Sequence, residues 1–372
     1  MRAAAYILSV IRLKIRELFQ KGNIIIKLAA AIGGIYIALR FNEECTRGME
    51  KGIGFCLEVL IPSLFFFMVI AAYLVQSGIC EFLCRPLKGL SRMLFRLPPQ
   101  ATAVILLSMI GGYPVGASCA AIMADEGQLS PSQAAKTAYI AVAAGPGFLI
   151  NYIGTALLGN PQAGYVLLGA QIAAVIVTGI IVGHTVKSEP LAHSVGRKKV
   201  GGNLLVGAVQ NAARSAFGMC AMVIVFCALG EVVDAVIPSK QVCDIASAML
   251  EITNGCNRIS GIVPLYVTAF FVGFGGLSVH FQIFSLLGKV PLKKTLFFLF
   301  RIIEGIIAAA ATYIYLMVTP TATTVFRSVD TVPSAARSAT LAGSAALVIS
   351  SLLFVGSMAN KSVLKHAEIN RR

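Results

Sequence analysis

Long runs of apolar residues alternate along the chain with short segments that hold most of its charged side chains. A helix needs roughly 17–25 apolar residues to cross about 30 Å of hydrocarbon. Runs of about that length or longer lie at 24–41, 52–78, 163–186, 204–237, 296–318 and 341–359. The pattern predicts an all-α polytopic membrane protein.

The apolar stretch 99–124 is broken in its middle by glycine and proline. Glycine costs about 1 kcal/mol and proline about 3 kcal/mol in a helix interior, and hydrocarbon offers no water to the freed backbone groups. Each arm of this stretch is too short to cross alone at 1.5 Å per residue. We therefore predict a re-entrant hairpin.

Three further stretches are interrupted in the same way. A second hairpin is predicted at 241–260, with its break at Thr253–Gly255, and broken spans are predicted at 131–158 and 262–287. A milder break is expected at Pro62 and Ser63. The residues assigned to the four main breaks are Gly111, Gly112, Pro114, Gly116, Gly145, Pro146, Gly147, Gly255, Gly275 and Gly276. Interrupted segments at matching places in two halves are typical of a transporter's binding site near the bilayer midplane.

The order span, hairpin, broken span, span occurs twice. Basic segments should face the cytoplasm, which places 187–203 and 289–294 inside, and 42–51 and 159–161 outside. The first half then opens with a span that runs inward and the second with one that runs outward, so we predict an inverted repeat.

These assignments divide the chain into seven parts. They are a cytoplasmic amphipathic helix (1–23), a first span (24–41), a first repeat (52–186), a basic cytoplasmic linker (187–203), a second repeat (204–318), a last span (339–360) and a basic cytoplasmic tail (361–372). Both termini are expected in the cytoplasm.

Composition narrows the functional classes. With 57% hydrophobic and 13% charged residues among 372, no soluble domain is expected, and the net charge of +15 lies in the loops between spans rather than in a nucleic-acid-binding surface. The nine cysteines include Cys80 and Cys84 on one helical face, but no histidine lies beside them to complete a metal site. No nucleophile, base and orienting residue form a recognisable set, so an enzyme is not expected.

Polar residues within or beside the breaks are the candidate substrate ligands. They are Ser63, Tyr113, Asn151, Arg214, Thr253, Asn254, Asn257 and His280. Each has a structural alternative: the Asn, Ser and Thr side chains and the Tyr113 hydroxyl can satisfy a broken backbone, and His280 can be a hydrogen-bonded core residue. Arg214 can either face the pocket or snorkel to the inner surface. Arg301 and Glu304 stand at i, i+3 and can neutralise each other.

Several strings in the chain resemble those of the nucleoside-recognition, or Gate-domain, membrane proteins. They are Ile61-Pro62-Ser63-Leu64-Phe65, Gly111-Gly112-Tyr113-Pro114-Val115-Gly116-Ala117, Ala144-Gly145-Pro146-Gly147-Phe148, Glu251-Ile252-Thr253-Asn254-Gly255 and Phe274-Gly275-Gly276-Leu277-Ser278-Val279-His280. The Gate domain is similar to the core of concentrative nucleoside transporters, with two hairpins and two broken helices.

Within that family the resemblance is to a stage V sporulation membrane protein. It implies a carrier that moves dipicolinic acid, a small aromatic dicarboxylate, across the outer forespore membrane by alternating access. A nucleoside or other small-metabolite carrier, and a non-transporting sporulation protein, stay open. The sequence also leaves open whether the coupling ion is H⁺ or Na⁺ and whether the protein forms a homo-oligomer. No other cofactor is expected, and the expected partners are an anionic small molecule and the lipid bilayer.

Overall fold

The computed structural model describes residues 27–189 and 203–319, and every regular element within them is a helix. Five helices of these residues are long and apolar enough to cross a membrane, or six if the bent pair Lys88–Leu94 and Pro99–Gly111 is one span. The prediction of an all-α polytopic membrane protein is confirmed. The predicted helix at 1–23, the last span, the basic tail and most of the linker lie outside the described residues.

Two similar sets of helices follow each other along the chain. The first set is α1 (Asn42–Ser77), hairpin 1 (Pro99–Gly111 and Tyr113–Asp125), broken helix 1 (Pro131–Ile140 and Gly147–Leu157) and α2 (Pro161–Thr185). The second set is α3 (Leu204–Val236), hairpin 2 (Lys240–Leu250 and Ile252–Ile259), broken helix 2 (Leu265–Phe274 and Gly276–Leu287) and α4 (Lys294–Val318). Residues 27–40 are helical before α1, and Ile79–Leu83 and Lys88–Leu94 are short helices before hairpin 1. The order of elements thus repeats, and the opposite orientation of the two sets stays a prediction.

The start of α1 corrects one prediction. Residues 42–51 were expected to form an outer loop because of their charges, but they are helical and pack against α3. Gly48 and Gly52 let the two backbones approach, since a Cβ on Gly52 would lie 2.7 Å from the Ile224 Cα. Lys51 pairs with Glu231 of α3 at 2.6 Å. Both basic residues of this segment, Arg47 and Lys51, therefore pair with Glu231 across a helix–helix contact.

The break expected at Pro62 and Ser63 does not occur in α1. The helix widens to a π turn at Cys56–Leu60, where the Ile61 amide bonds to the Cys56 carbonyl, and then continues. A wide turn directly before Pro62 accommodates a residue that has no amide to donate.

Hairpin 1 turns at a single residue. Gly112 has a φ of +86°, which suits glycine, and Pro114 stands in the first turn of the second arm, where its missing amide costs little. Gly111 ends the first arm, and Gly116 lies inside the second. Gly116 is therefore not a break. A Cβ on it would overlap the Ala141 carbonyl, so it allows close contact with broken helix 1.

Hairpin 2 turns earlier than predicted. Glu251 is extended, with φ −142° and ψ 120°, and the next helix already begins at Ile252. Thr253, Asn254 and Gly255 are helical, so the predicted break there was wrong. A Cβ on Gly255 would overlap Ala248 of the other arm, which shows that this glycine serves packing between the arms.

The two broken helices are interrupted close to the predicted glycines, but the first break ends at Gly145, and Pro146 and Gly147 already belong to the helix that follows. Pro131–Ile140 begins with a capping box between Ser130 and Gln133, and the chain is then non-helical from 141 to 145 before the π-helix Gly147–Leu157. Broken helix 2 turns at Gly275 and Gly276, whose φ values are +88° and +74°. Both breaks leave backbone carbonyls free of helical bonds, and these must find other partners.

Candidate substrate cavity

A narrow cavity, with about 20 Å³ of room for the centre of a water-sized molecule, lies where both hairpin turns meet both broken helices. Hairpin 1 contributes Gly112, Tyr113 and Pro114, and hairpin 2 contributes Glu251, Ile252 and Thr253. The rest of the lining is mostly apolar and comprises Leu60, Leu64, Gly145, Phe148, Met219, Val223, Val279 and Gln282. Residues from both halves of the chain therefore share one cavity.

Helix starts surround this cavity. Tyr113 and Ile252 are the first residues of the second hairpin arms, and Phe148 and Val279 lie in the first turn of the second parts of the broken helices. The first amides of a helix have no intrahelical acceptor, and the helix start carries a partial positive charge. The arrangement favours a ligand with acceptor atoms or negative charge.

Three polar side chains give the cavity its chemical character. Gln282 is 3% exposed, and its Nε2 has no hydrogen-bond partner among the described residues. Glu251 is 1% exposed, and its Oε2 accepts the Asn254 amide at 2.7 Å, which caps the helix that follows. Thr253 is buried beside it. The cavity therefore presents both a free amide donor and a carboxyl group that accepts hydrogen bonds from neutral neighbours.

Two tyrosines connect each hairpin to the broken helix of the other half. The Tyr113 hydroxyl of hairpin 1 donates to the Val272 carbonyl of broken helix 2 at 2.7 Å. The Tyr152 hydroxyl of broken helix 1 lies 3.4 Å from the Thr253 carbonyl of hairpin 2. Both contacts satisfy backbone groups beside the cavity and hold its walls together.

Arg301 of α4 joins the two helix breaks behind the cavity. Its guanidinium is fully buried and donates to the Val142 carbonyl of broken helix 1 at 2.8 Å and to the Gly273 carbonyl of broken helix 2. Glu304 accepts from Arg301 at 2.6 Å and from Gln171 of α2 at 2.7 Å. The expected pairing of Arg301 with Glu304 is confirmed, and the pair also satisfies carbonyls that the breaks leave free.

Three of the predicted ligands lie at or beside the cavity. Tyr113 and Thr253 line it, and Asn254 is buried directly behind the turn of hairpin 2. Ser63 lies close to Gly147, but its hydroxyl donates to the Val59 carbonyl of its own helix at 2.6 Å. That bond is the structural alternative foreseen for this serine.

The other predicted ligands lie elsewhere. Asn151 was expected to be buried but is exposed, as are Arg214 and Asn257. His280 is fully buried, its Nδ1 bonds to the Gly276 carbonyl, and its ring lies 4.7 Å from those of Phe274 and Phe298. None of these four residues lines the cavity.

Two cavity residues were missing from the predicted set. Glu251 appeared in the sequence analysis only within the string Glu251–Gly255, although an acidic residue directly before a short helix can cap that helix. Gln282 stands three residues after Val279 and therefore shares its helical face. A search along that face, rather than for reactive residue types, could have found it.

These features define a class of protein: a multi-pass α-helical membrane protein with two hairpins and two broken helices around one central cavity. The chain is similar to the sporulation integral membrane protein YlbJ of Bacillus subtilis (strain 168), with 22% identity over 304 residues that cover 70% of this chain and 74% of that protein. No protein-family model and no solved structure matches the chain.

Proposed function

We propose that the chain is a transporter that acts in sporulation and moves dipicolinic acid, a small aromatic dicarboxylate, by alternating access at the central cavity. The observation that carries the proposal is the cavity itself, which is lined by turns and helix starts from both halves of the chain. Transporters built from repeats bind their substrates at such a place. The similarity to YlbJ supports a role in sporulation.

The cavity chemistry suits this substrate class. On this proposal the narrow cavity widens to admit the substrate, whose aromatic ring then lies against the apolar lining that includes Phe148 and Leu64. Carboxylate oxygens can accept from the Gln282 amide, and the partial positive charge of the surrounding helix starts offsets part of the hydration lost on binding. On this proposal the protein acts in the outer forespore membrane with both termini in the cytoplasm, performs no chemical conversion, and can work as a single chain or as a homo-oligomer.

A nucleoside is the second candidate substrate, and Glu251 is the observation that favours it. A buried carboxylate accepts hydrogen bonds from ligand hydroxyls, and an uncharged ligand meets no repulsion from it. The aromatic base would occupy the same apolar lining.

Uptake of labelled dipicolinate and of labelled uridine by proteoliposomes that contain the purified chain tests both candidates. We expect saturable uptake of dipicolinate above that of empty liposomes, and a loss of at least about tenfold for Gln282→Leu, since one buried charged hydrogen bond is worth about 1.5–3 kcal/mol. Asn151→Leu is the matched control, because it removes an exposed amide from broken helix 1, the counterpart in the first half of the helix that carries Gln282. This variant should retain uptake. Uptake of uridine alone would make a nucleoside, and not dipicolinate, the substrate. No uptake of either compound would favour a non-transporting protein.

A further inference from the structure

Glu251 is a buried carboxyl group at the cavity without a cationic partner. Its side chain lines the cavity at the turn of hairpin 2, where Oε2 accepts the Asn254 amide at 2.7 Å. The Thr253 amide and the Thr253 and Ser278 hydroxyls also lie within hydrogen-bonding range of this carboxyl group, and all of these donors are neutral. Within residues 27–189 and 203–319, no Lys, Arg or His side chain lies within 4.0 Å of it. A buried carboxylate in that position is costly unless it is paired or takes up a proton.

The elements around Glu251 bring neutral titratable groups to it. Those within electrostatic range are the thiols of Cys56 on α1, Cys227 on α3 and Cys256 on hairpin 2, and the hydroxyls of Tyr113 on hairpin 1 and Tyr152 on broken helix 1. The charged groups nearby are already paired: Glu231 with Lys51 and Arg47, and Glu304 with Arg301. His280 of broken helix 2 faces aromatic rings instead. A proton on Glu251 is therefore the simplest way to remove its charge.

Two of the carbonyls freed at the helix breaks, one from each break, already have a cationic partner. Unwound backbone of this kind coordinates Na⁺ in many secondary transporters. Here the guanidinium of Arg301 already bonds to the Val142 and Gly273 carbonyls, one from each break. At these two carbonyls the guanidinium supplies the positive charge, so they do not need a bound sodium ion.

We infer that Glu251 is the proton-carrying group of the transporter and that a proton enters the cavity together with the anionic substrate. The inference rests on the proposed function. Ionised Glu251 repels a dicarboxylate, and like charges side by side cost several kcal/mol in a closed site. Protonation from the water on the loading side removes this repulsion and turns the carboxyl into a donor. When the cavity opens to the other side, the substrate leaves and the proton passes to the water there.

The experiment is proteoliposome transport with the membrane potential clamped at zero and an internal pH-sensitive dye. With the outside one pH unit more acidic, the unmodified chain should concentrate dipicolinate up to about tenfold, because one proton moves with each substrate and a tenfold ratio corresponds to about 1.4 kcal/mol. A pulse of external dipicolinate should acidify the lumen. Glu251→Gln should abolish both the accumulation and the acidification, and its remaining counterflow should no longer depend on pH. Glu251→Asp, which keeps a proton site, should still acidify the lumen.

Glu231→Gln is the matched control, since Glu231 is also a buried carboxyl group but is paired and lies outside the cavity lining. It should concentrate dipicolinate as the unmodified chain does. Accumulation driven by a sodium gradient alone, or lumen acidification that persists in Glu251→Gln, would overturn the inference. If the unmodified chain shows no dipicolinate transport or counterflow in any gradient, the proposed function fails instead.

Discussion

At the residue scale, the direction a side chain takes from its helix decides its role more than its chemical type does. His280 is the reactive-looking residue of broken helix 2, yet Val279 and Gln282 line the cavity. Residues two positions apart on a helix differ by about 200° in direction, so His280 and Gln282 point to nearly opposite sides. The sequence therefore indicated the correct helix, but His280 lies on the face of that helix that points away from the cavity.

Arg214 provides a test of this point. The side chain is exposed and lies outside the cavity lining, which is the arrangement expected if it extends along α3 to the inner surface. We expect Arg214→Gln and Arg214→Lys to change dipicolinate uptake by less than about twofold, because neither removes a group that contacts the substrate. The measurement is initial uptake rate normalised to the amount of protein in the membrane. A strong loss of uptake in Arg214→Gln that is largely absent in Arg214→Lys would instead show that the positive charge of this side chain acts on the substrate.

At the element scale, the presence of four interrupted helices could be predicted because glycine and proline are costly in helix interiors. The exact turning points were harder to predict. In hairpin 1 the turn coincides with Gly112, whereas in hairpin 2 it falls on Glu251, whose extended conformation any residue can adopt. Gly116 and Gly255 were read as breaks although their task is close packing. A single sequence does not separate these two uses of glycine, since both exploit the missing Cβ.

The contact between Gly116 and the unwound segment of broken helix 1 is testable. Even one methyl group on Gly116 would overlap the Ala141 carbonyl oxygen and lie 2.8 Å from its carbon, so the arm or the segment must move. Overpacking of this kind costs about 1–3 kcal/mol. We expect Gly116→Ala to lower dipicolinate uptake severalfold and membrane abundance by less, because the displaced backbone lies next to the cavity.

Gly218 of α3 is a suitable control because no atom lies within 4 Å of a Cβ placed there. Gly218→Ala should leave uptake intact and add up to about 1 kcal/mol of helix stability. Uptake and abundance that fall in parallel for Gly116→Ala would indicate that the contact serves folding alone.

At the scale of the whole molecule, the two halves are linked through their interruptions. Tyr113 and Tyr152 connect each hairpin to the opposite broken helix, and Arg301 bonds to both breaks at once. None of these partners is close in sequence, so no local pattern could have predicted them. What the sequence did predict was the need for them, because free carbonyls inside a membrane protein require a partner.

The inverted orientation of the two halves is the remaining expectation at this scale, and labelling can decide it. Gln162 follows broken helix 1 and Lys289 follows broken helix 2, so the two occupy matching places, and both are exposed. The basic residues after broken helix 2 should hold Lys289 in the cytoplasm, and the uncharged turn before Gln162 should face the opposite side. We therefore expect a cysteine at 162 and a cysteine at 289, each in a background without the native cysteines, to react with an impermeant reagent from opposite sides of sealed vesicles. Labelling of both from the same side would show that the halves are parallel. The cavity could then not open to the two sides by an exchange of conformation between repeats related by a pseudo-two-fold axis in the membrane plane.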